Sequence, residues 1–144
     1  MTDIFSKEKR SIIMSKISGR NTAPEILVRK YLFANGFRFR INDKRFPGKP
    51  DILLPKYKTV IFINGCFWHG HENCKAAVLP TSNIDYWENK IAANIERDKK
   101  VQTQLMQMGY NVFIVWQCQL KANTRESTLL TLINKIKMLN YREE

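Results

Sequence analysis

PDILLPKYKTVIFING, residues 50–65, holds two apolar runs separated by a short interruption. DILL (51–54) and KTVIFIN (58–64) read as two strands joined by a turn at Pro55–Tyr57. TVIFI, at 59–63, is the longest clearly apolar stretch of the chain and suits a buried strand.

Upstream, FRFRI (37–41) alternates like a strand and runs into a basic turn, NDKRFPGKP. NTAPEILVRKYLFANG reads as a helix, with Thr22 as N-cap candidate, Glu25 three residues later and Asn35-Gly36 as the stop. KEKRSIIMSKIS (7–18) predicts a short basic helix carrying Ile12, Ile13, Met14 and Ile17. Downstream, Ile84, Trp87, Ile91, Leu105 and Met108 fall at helical spacing and predict a long helix over 84–108, ended by Gly109. YNVFIVW (110–116) predicts another buried strand, and Leu129, Leu132, Ile133 and Ile136 a final amphipathic helix over 126–139. The order is helix, helix, three strands, helix, strand, helix. It predicts an α/β single domain, a mixed central sheet flanked by helices.

A chain of 144 residues, 44% hydrophobic and 26% charged, has an ordinary globular composition and not that of a disordered one. No apolar run is long enough to span a bilayer and MTDIFSKEKR has no signal-peptide core, so a cytoplasmic protein without a membrane partner is expected. Three cysteines in a reducing compartment suggest metal binding or inert thiols before disulfides. Lys and Arg number 24 against 13 acids, a net charge of +11, and residues 1–50 hold twelve of the bases with only four acids. That basic N-terminal third favours a polyanionic partner, nucleic acid first; a solvated basic surface is the plain alternative.

GCFWHGHENC, residues 65–74, gathers Cys66, His69, His71 and Cys74, and Cys118 follows the last strand. Thiolate and imidazole are the ligands zinc prefers, and four close a structural site. Three cysteines need one histidine, which leaves the other imidazole as a plausible general base at neutral pH. Spacing does not say which histidine is which; with 69–71 extended, the two rings would point to opposite sides. The plain alternative is buried, unligated cysteines with surface histidines.

Asp51 opens one strand and Ile63-Asn64 ends the next. A carboxylate beside a strand-end carbonyl is the kind of oxygen pair that holds Mg²⁺, although most Pro-Asp pairs are turns. Glu25 is explained equally well as a capping-box residue. Trp87, Ile91, Asn94 and Asp98 share one helical face, which points to partnered polar groups, or else to a solvent-facing turn of helix. Phe67 and Trp68 could wedge between base pairs, but spacing alone favours core packing.

PGKPDILLPKY, VIFINGCFWHGHENC, YWENKIAANIERD and FIVWQC together resemble the very-short-patch-repair (Vsr) endonuclease family, over residues 5–121. The GCFWHGH block with a later WQC is specific to it. The resemblance implies a PD-(D/E)xK-like nuclease fold with an atypical active site and a structural zinc. It implies an enzyme that nicks duplex DNA 5′ of the thymine in a T:G mismatch, initiating very short patch repair of deaminated 5-methylcytosine. By motif, Asp51 would be the Mg²⁺ carboxylate and the Ile63 backbone carbonyl a second ligand. Glu25 and Asn94 would hold waters on the metal, His69 would be the activating base and Asp98 its partner. Cys66, His71, Cys74 and Cys118 would bind Zn²⁺. Phe67, Trp68 and Trp87 would form the aromatic wedge, and Met14 would probe the opposite groove. Residues 1–20 would be a DNA-contacting helix, 21–121 the nuclease core and 122–144 the C-terminal helix. A functionally linked cytosine methyltransferase, a repair polymerase, nucleoid association and a monomeric state are implied as well. The sequence departs from the family in two places: Asn64 stands where a histidine is frequent, and HENC is one residue longer before its cysteine. A non-cleaving mismatch-binding module and a restriction or defence nuclease of the same fold are the alternatives.

Overall fold

Two helix ends set the frame. In a computed structural model, which describes residues 22–143, α1 (Ala23–Ala34) starts from Thr22, whose hydroxyl accepts from the Glu25 amide at 3.5 Å. It stops where Gly36 takes φ 88°. There the Phe37 amide reaches back to Leu32 O at 3.0 Å and the Gly36 amide to Phe33 O at 3.1 Å, a Schellman closure. The same closure ends the long helix α2 (Ile84–Gln107): Gly109 has φ 91° and Tyr110 N bonds Leu105 O at 3.1 Å. The expected helix at 7–18, and Met14 with it, lie outside the described residues.

Between and after these helices come β1 (Arg40–Ile41), β2 (Ile52–Leu54), β3 (Thr59–Asn64), β4 (Asn111–Trp116) and α3 (Arg125–Glu143). They form a four-stranded mixed sheet in the order β1-β2-β3-β4, antiparallel except for the parallel β3–β4 pair. On one face Ile52, Leu54, Ile61 and Val115 pack with Val28 and Leu32 of α1 and Leu129, Leu132, Ile133 and Ile136 of α3. On the other, Leu53 and Val60 pack with Leu105 and the half-buried Val101 of α2. β2 and the first half of β3 are therefore buried on both faces, which is why they read as continuous apolar runs. Each such Leu or Ile contributes about 1.5–3 kcal/mol by leaving water.

Three expectations change. FRFRI contracts to the two-residue β1, because Phe37 is consumed in closing α1 and sits in the core. The turn at Pro55–Tyr57 is a 3₁₀ turn, closed by Lys58 in a left-handed conformation of φ 47°. On α2, Ile91 and Leu105 are buried while Ile84, its first residue, and Met108, its C-cap, are about half exposed. Among the described residues no helix is long and apolar enough to cross a membrane.

Candidate active site and metal centre

The parallel register sets Ile63 opposite Val115 and Asn64 opposite Trp116. The chain segments leaving β3 and β4 thus emerge side by side, the usual place for a site in a parallel pair. The β3 exit carries the loop 65–74 and the β4 exit carries Gln117–Leu120.

A cleft of about 1070 Å³ opens there, and Glu25, Asp51, Ile63, Asn64, His69 and Asp98 all line it. Asp51 Oδ2 accepts the Ile63 amide at 2.6 Å, so the carboxylate is fixed to the peptide chain at the end of β3. Burial pushes its pKa up from the ordinary 3.8 to about 6; the Ile63 amide opposes that and the neighbouring Glu25 charge adds to it. A cation placed here would relieve both burial and repulsion, so the oxygen donors present fit a divalent ion. Glu25 is itself buried, its Oε2 accepting Arg29 Nη2 at 3.0 Å.

Across the cleft His69 Nδ1 meets Asp98 Oδ2 at 2.6 Å. A carboxylate on Nδ1 assigns the proton to that nitrogen and leaves Nε2 as the ring's acceptor, the arrangement of an oriented general base. Asn94 is not a solvent-facing residue: it is 6% exposed, behind the cleft wall. Its Nδ2 donates to the Trp68 carbonyl at 2.8 Å and its Oδ1 accepts Arg97 Nη2 at 3.1 Å. The helical face read from the sequence is real, but Asn94 holds the loop through its amide.

The loop 66–70 is not extended. It coils through successive turns, with His69 N bonded to Gly65 O at 3.2 Å and His71 N to Cys66 O at 3.0 Å. Gly70 at φ 60° makes this possible, and a Cβ there would fall 2.7 Å from Ile95 Cδ1. The two histidines separate because of this turn: His69 faces the cleft and His71 faces the cysteines.

Cys66, His71, Cys74 and Cys118 bring one ligand atom each to within 4.8 Å of one another. A tetrahedral site with metal–sulfur bonds of about 2.3 Å has edges of about 3.8 Å, so the cluster needs only slight contraction around an ion. The thiols do not ionise alike. Backbone hydrogen bonds, that from Ala76 foremost, lower the Cys74 pKa, whereas burial and then the neighbouring Cys66 push Cys118 up to about 11. Crowded sulfurs of this kind call for a cation, and the donor set fits one that prefers thiolate and imidazole. The longer HENC turn is accommodated with Asn73 left-handed at φ 55°. Trp116 stacks on His71 at 4.0 Å and 8°, a support unmarked by any local motif.

Phe67, Trp68 and Trp87 meet edge to face, with centroids 5.2–5.7 Å apart. Trp68 is 50% exposed and lines the cleft, against the core packing that spacing favours, because the coiled loop turns it outward. Tyr86, 60% exposed, extends the group beyond Trp87 at 5.1 Å. Tyr86, Arg97 and Trp116 escape a sequence reading; position Arg97, three residues after Asn94 on the same helix, was the one available signal.

Residues 2–75 match the family described as DNA mismatch endonuclease Vsr. Over 121 residues the chain is 57% identical to the type II nicking enzyme V.NmeAIP of Neisseria meningitidis, covering 84% of this chain and 86% of that one. It is 46% identical to the type II nicking enzyme V.XorIIP of Xanthomonas oryzae, covering 83% and 88%. With the DNA mismatch endonuclease Vsr of Escherichia coli it shares 38% identity, covering 87% and 80%.

Proposed function

The chain belongs to the Vsr family of DNA mismatch endonucleases, and from that premise we propose that it nicks duplex DNA on the 5′ side of the thymine in a T:G mismatch. The supporting observation is the cleft that sets Asp51, anchored on Ile63 N, beside the His69–Asp98 pair. The fold reading that accompanies it is a PD-(D/E)xK-like nuclease.

Asp51 and the Ile63 carbonyl would hold Mg²⁺, with Glu25 beside Asp51. When bound, the ion supplies a Lewis acid that polarises the scissile phosphate. His69 Nε2 takes a proton from the attacking water, and Asp98 stabilises the imidazolium that results. The water oxygen bonds to phosphorus as the P–O3′ bond breaks, leaving a 5′-phosphate and a 3′-oxygen. Asn64 has no titratable proton to give that oxygen, so solvent protonates it. Cys66, His71, Cys74 and Cys118 would hold Zn²⁺, which fixes the loop carrying Trp68 and His69. Trp68, with Phe67 and Trp87 behind it, would enter the stack where a mismatched pair yields most cheaply.

The test is a nicking assay on labelled duplexes that differ only in a T:G or T:A pair, with and without Mg²⁺. Mg²⁺-dependent cleavage 5′ of the mismatched thymine, lost in Asp51→Ala with binding retained, is the expected result. Binding without cleavage by the wild type would overturn the catalytic reading. Two of the relatives are named type II nicking enzymes, which favours as second reading a nickase working beside a restriction system; flanking-sequence preference in the same assay would define its context.

A further inference from the structure

The basic turn at 42–50 carries a strain that packing does not account for. Gly48 and Lys49 take consecutive left-handed conformations, φ 74° and 46°. Glycine enters that region freely, and a residue with a Cβ does so at a cost. The glycine is explained by contact, since a Cβ there would fall 2.5 Å from Val101 Cγ1 on α2. No contact of that sort calls for a lysine in the next position.

The backbone on either side of Lys49 is pinned. Its amide bonds Phe46 O at 3.2 Å, and the Phe46 ring meets Tyr110 edge-on at 5.1 Å. Pro50 is buried, and Asp51 is held by Ile63 N. Lys49 and Asp51 therefore line the same cleft from one short, fixed segment. Among the described residues the Lys49 ammonium has no ion pair or hydrogen bond. Lys44 and Arg97 are the other cations on the wall; Arg97 is already bonded to Asn94, and Lys44 lies outside the short segment fixed beside Asp51. The carboxylates that line the cleft are Asp51, Glu25, which is held by Arg29, and Asp98, which is held by His69.

We propose that Lys49 binds a DNA backbone phosphate neighbouring the one attacked, and so sets the scissile strand over Asp51. The proposal rests on the nuclease reading above. An ammonium is a compact charge that satisfies a phosphate oxygen without demanding a fixed fork geometry. Its field also offsets the repulsion between the Asp51 carboxylate and the incoming strand. Strain retained at a cleft-lining residue, where glycine would relax it, is the pattern of a group kept for binding.

Lys49→Ala, Lys49→Gly and Lys49→Arg separate this role from a structural one. Lys58→Gly serves as control: it has the same charge and a left-handed backbone, φ 47°, but lies at the far end of β3. The probe is a short duplex with one T:G mismatch, its binding followed by fluorescence anisotropy across a salt series without added divalent ions. Losing one phosphate contact lowers the slope of log K against log salt by about 0.9. That change is expected for Lys49→Ala and Lys49→Gly, and not for Lys49→Arg or Lys58→Gly. In Mg²⁺ the Ala and Gly variants should nick with kcat lowered roughly 10- to 100-fold, as the strand loses its register. The melting temperature of Lys49→Gly should equal or exceed that of the wild type, which distinguishes lost binding from lost folding. An unchanged salt slope in Lys49→Ala, beside a wild type that binds and nicks, would overturn the proposal, and so would an equal drop in Lys58→Gly. A wild type that neither binds nor nicks would instead sink the nuclease reading beneath it.

Discussion

Replacing Asp51 by asparagine should stabilise the Mg²⁺-free protein. The carboxylate is forced into a half-buried position beside Glu25, and its pKa is raised from 3.8 to about 6. Between those values the folded protein holds more protons than the unfolded one, so stability falls as pH rises through that window. Above it the difference is worth about 3 kcal/mol at 1.36 kcal/mol per pH unit. The cleft is open to solvent, which reduces the expected effect to about 2 kcal/mol, or roughly 4–8 °C in Tm for a domain of this size. Asparagine keeps an oxygen for the Ile63 amide and removes only the charge. Thermal melts of zinc-loaded wild type and Asp51→Asn, without Mg²⁺ and across pH 4 to 8, give the measurement. The two Tm values should be close near pH 4 and diverge by pH 7, with the variant higher. Added Mg²⁺ should then raise the wild type alone. A gap of constant size across the range, or a variant less stable at pH 8, would refute the account of Asp51 as a carboxylate held against its own solvation.

Trp68→Ala should leave Tm almost unchanged, because the ring is half exposed, yet weaken binding to mismatched duplex by about 1–3 kcal/mol, read by anisotropy. Asp98→Asn removes the negative charge that fixes the His69 tautomer and offsets an imidazolium, while an amide oxygen remains; nicking should slow by about 10²–10⁴ at unaltered DNA affinity, and a rate close to wild type would show that His69 is not the base. Metal removal by a strong chelator, or Cys118→Ser, which deletes one of the four clustered ligands, should lower stability by about 4 kcal/mol or more and release bound zinc, detectable by elemental analysis; a protein that purifies without zinc and melts no lower after chelation would contradict the structural role.

What the sequence discloses and what it hides follow from how local each cause is. DILL and TVIFI announce strands because both of their faces are buried, a property written in consecutive residues. Both Schellman closures are visible as glycines at 36 and 109. Phe37 misleads, since an aromatic two residues past a helix can start a strand or close the helix, and only the core around Leu32 decides. Cys118 is legible despite its distance from Cys66 because the chain has so few cysteines. The separation of the two histidines is not, for it depends on Gly70 coiling against Ile91 and Ile95 of α2. Trp68 resists for the same reason. Lys49 and Arg97 look like ordinary surface charges until the cleft is in view.

Trp68 and His69 are neighbours in the chain, and α2 grips each of them, the first through Asn94 and the second through Asp98. The side chain proposed to test the base stack and the one proposed to activate water thus share a single mechanical mounting. On the proposed function, a substitution that loosens that mounting to admit other lesions would also loosen the base, so selectivity and turnover would not be separate quantities for selection, or for an engineer, to adjust. Under the same reading a broader target range would have to come from the rim, at positions such as Tyr86, which touches Trp87 and lies outside the two hydrogen bonds that hold the loop.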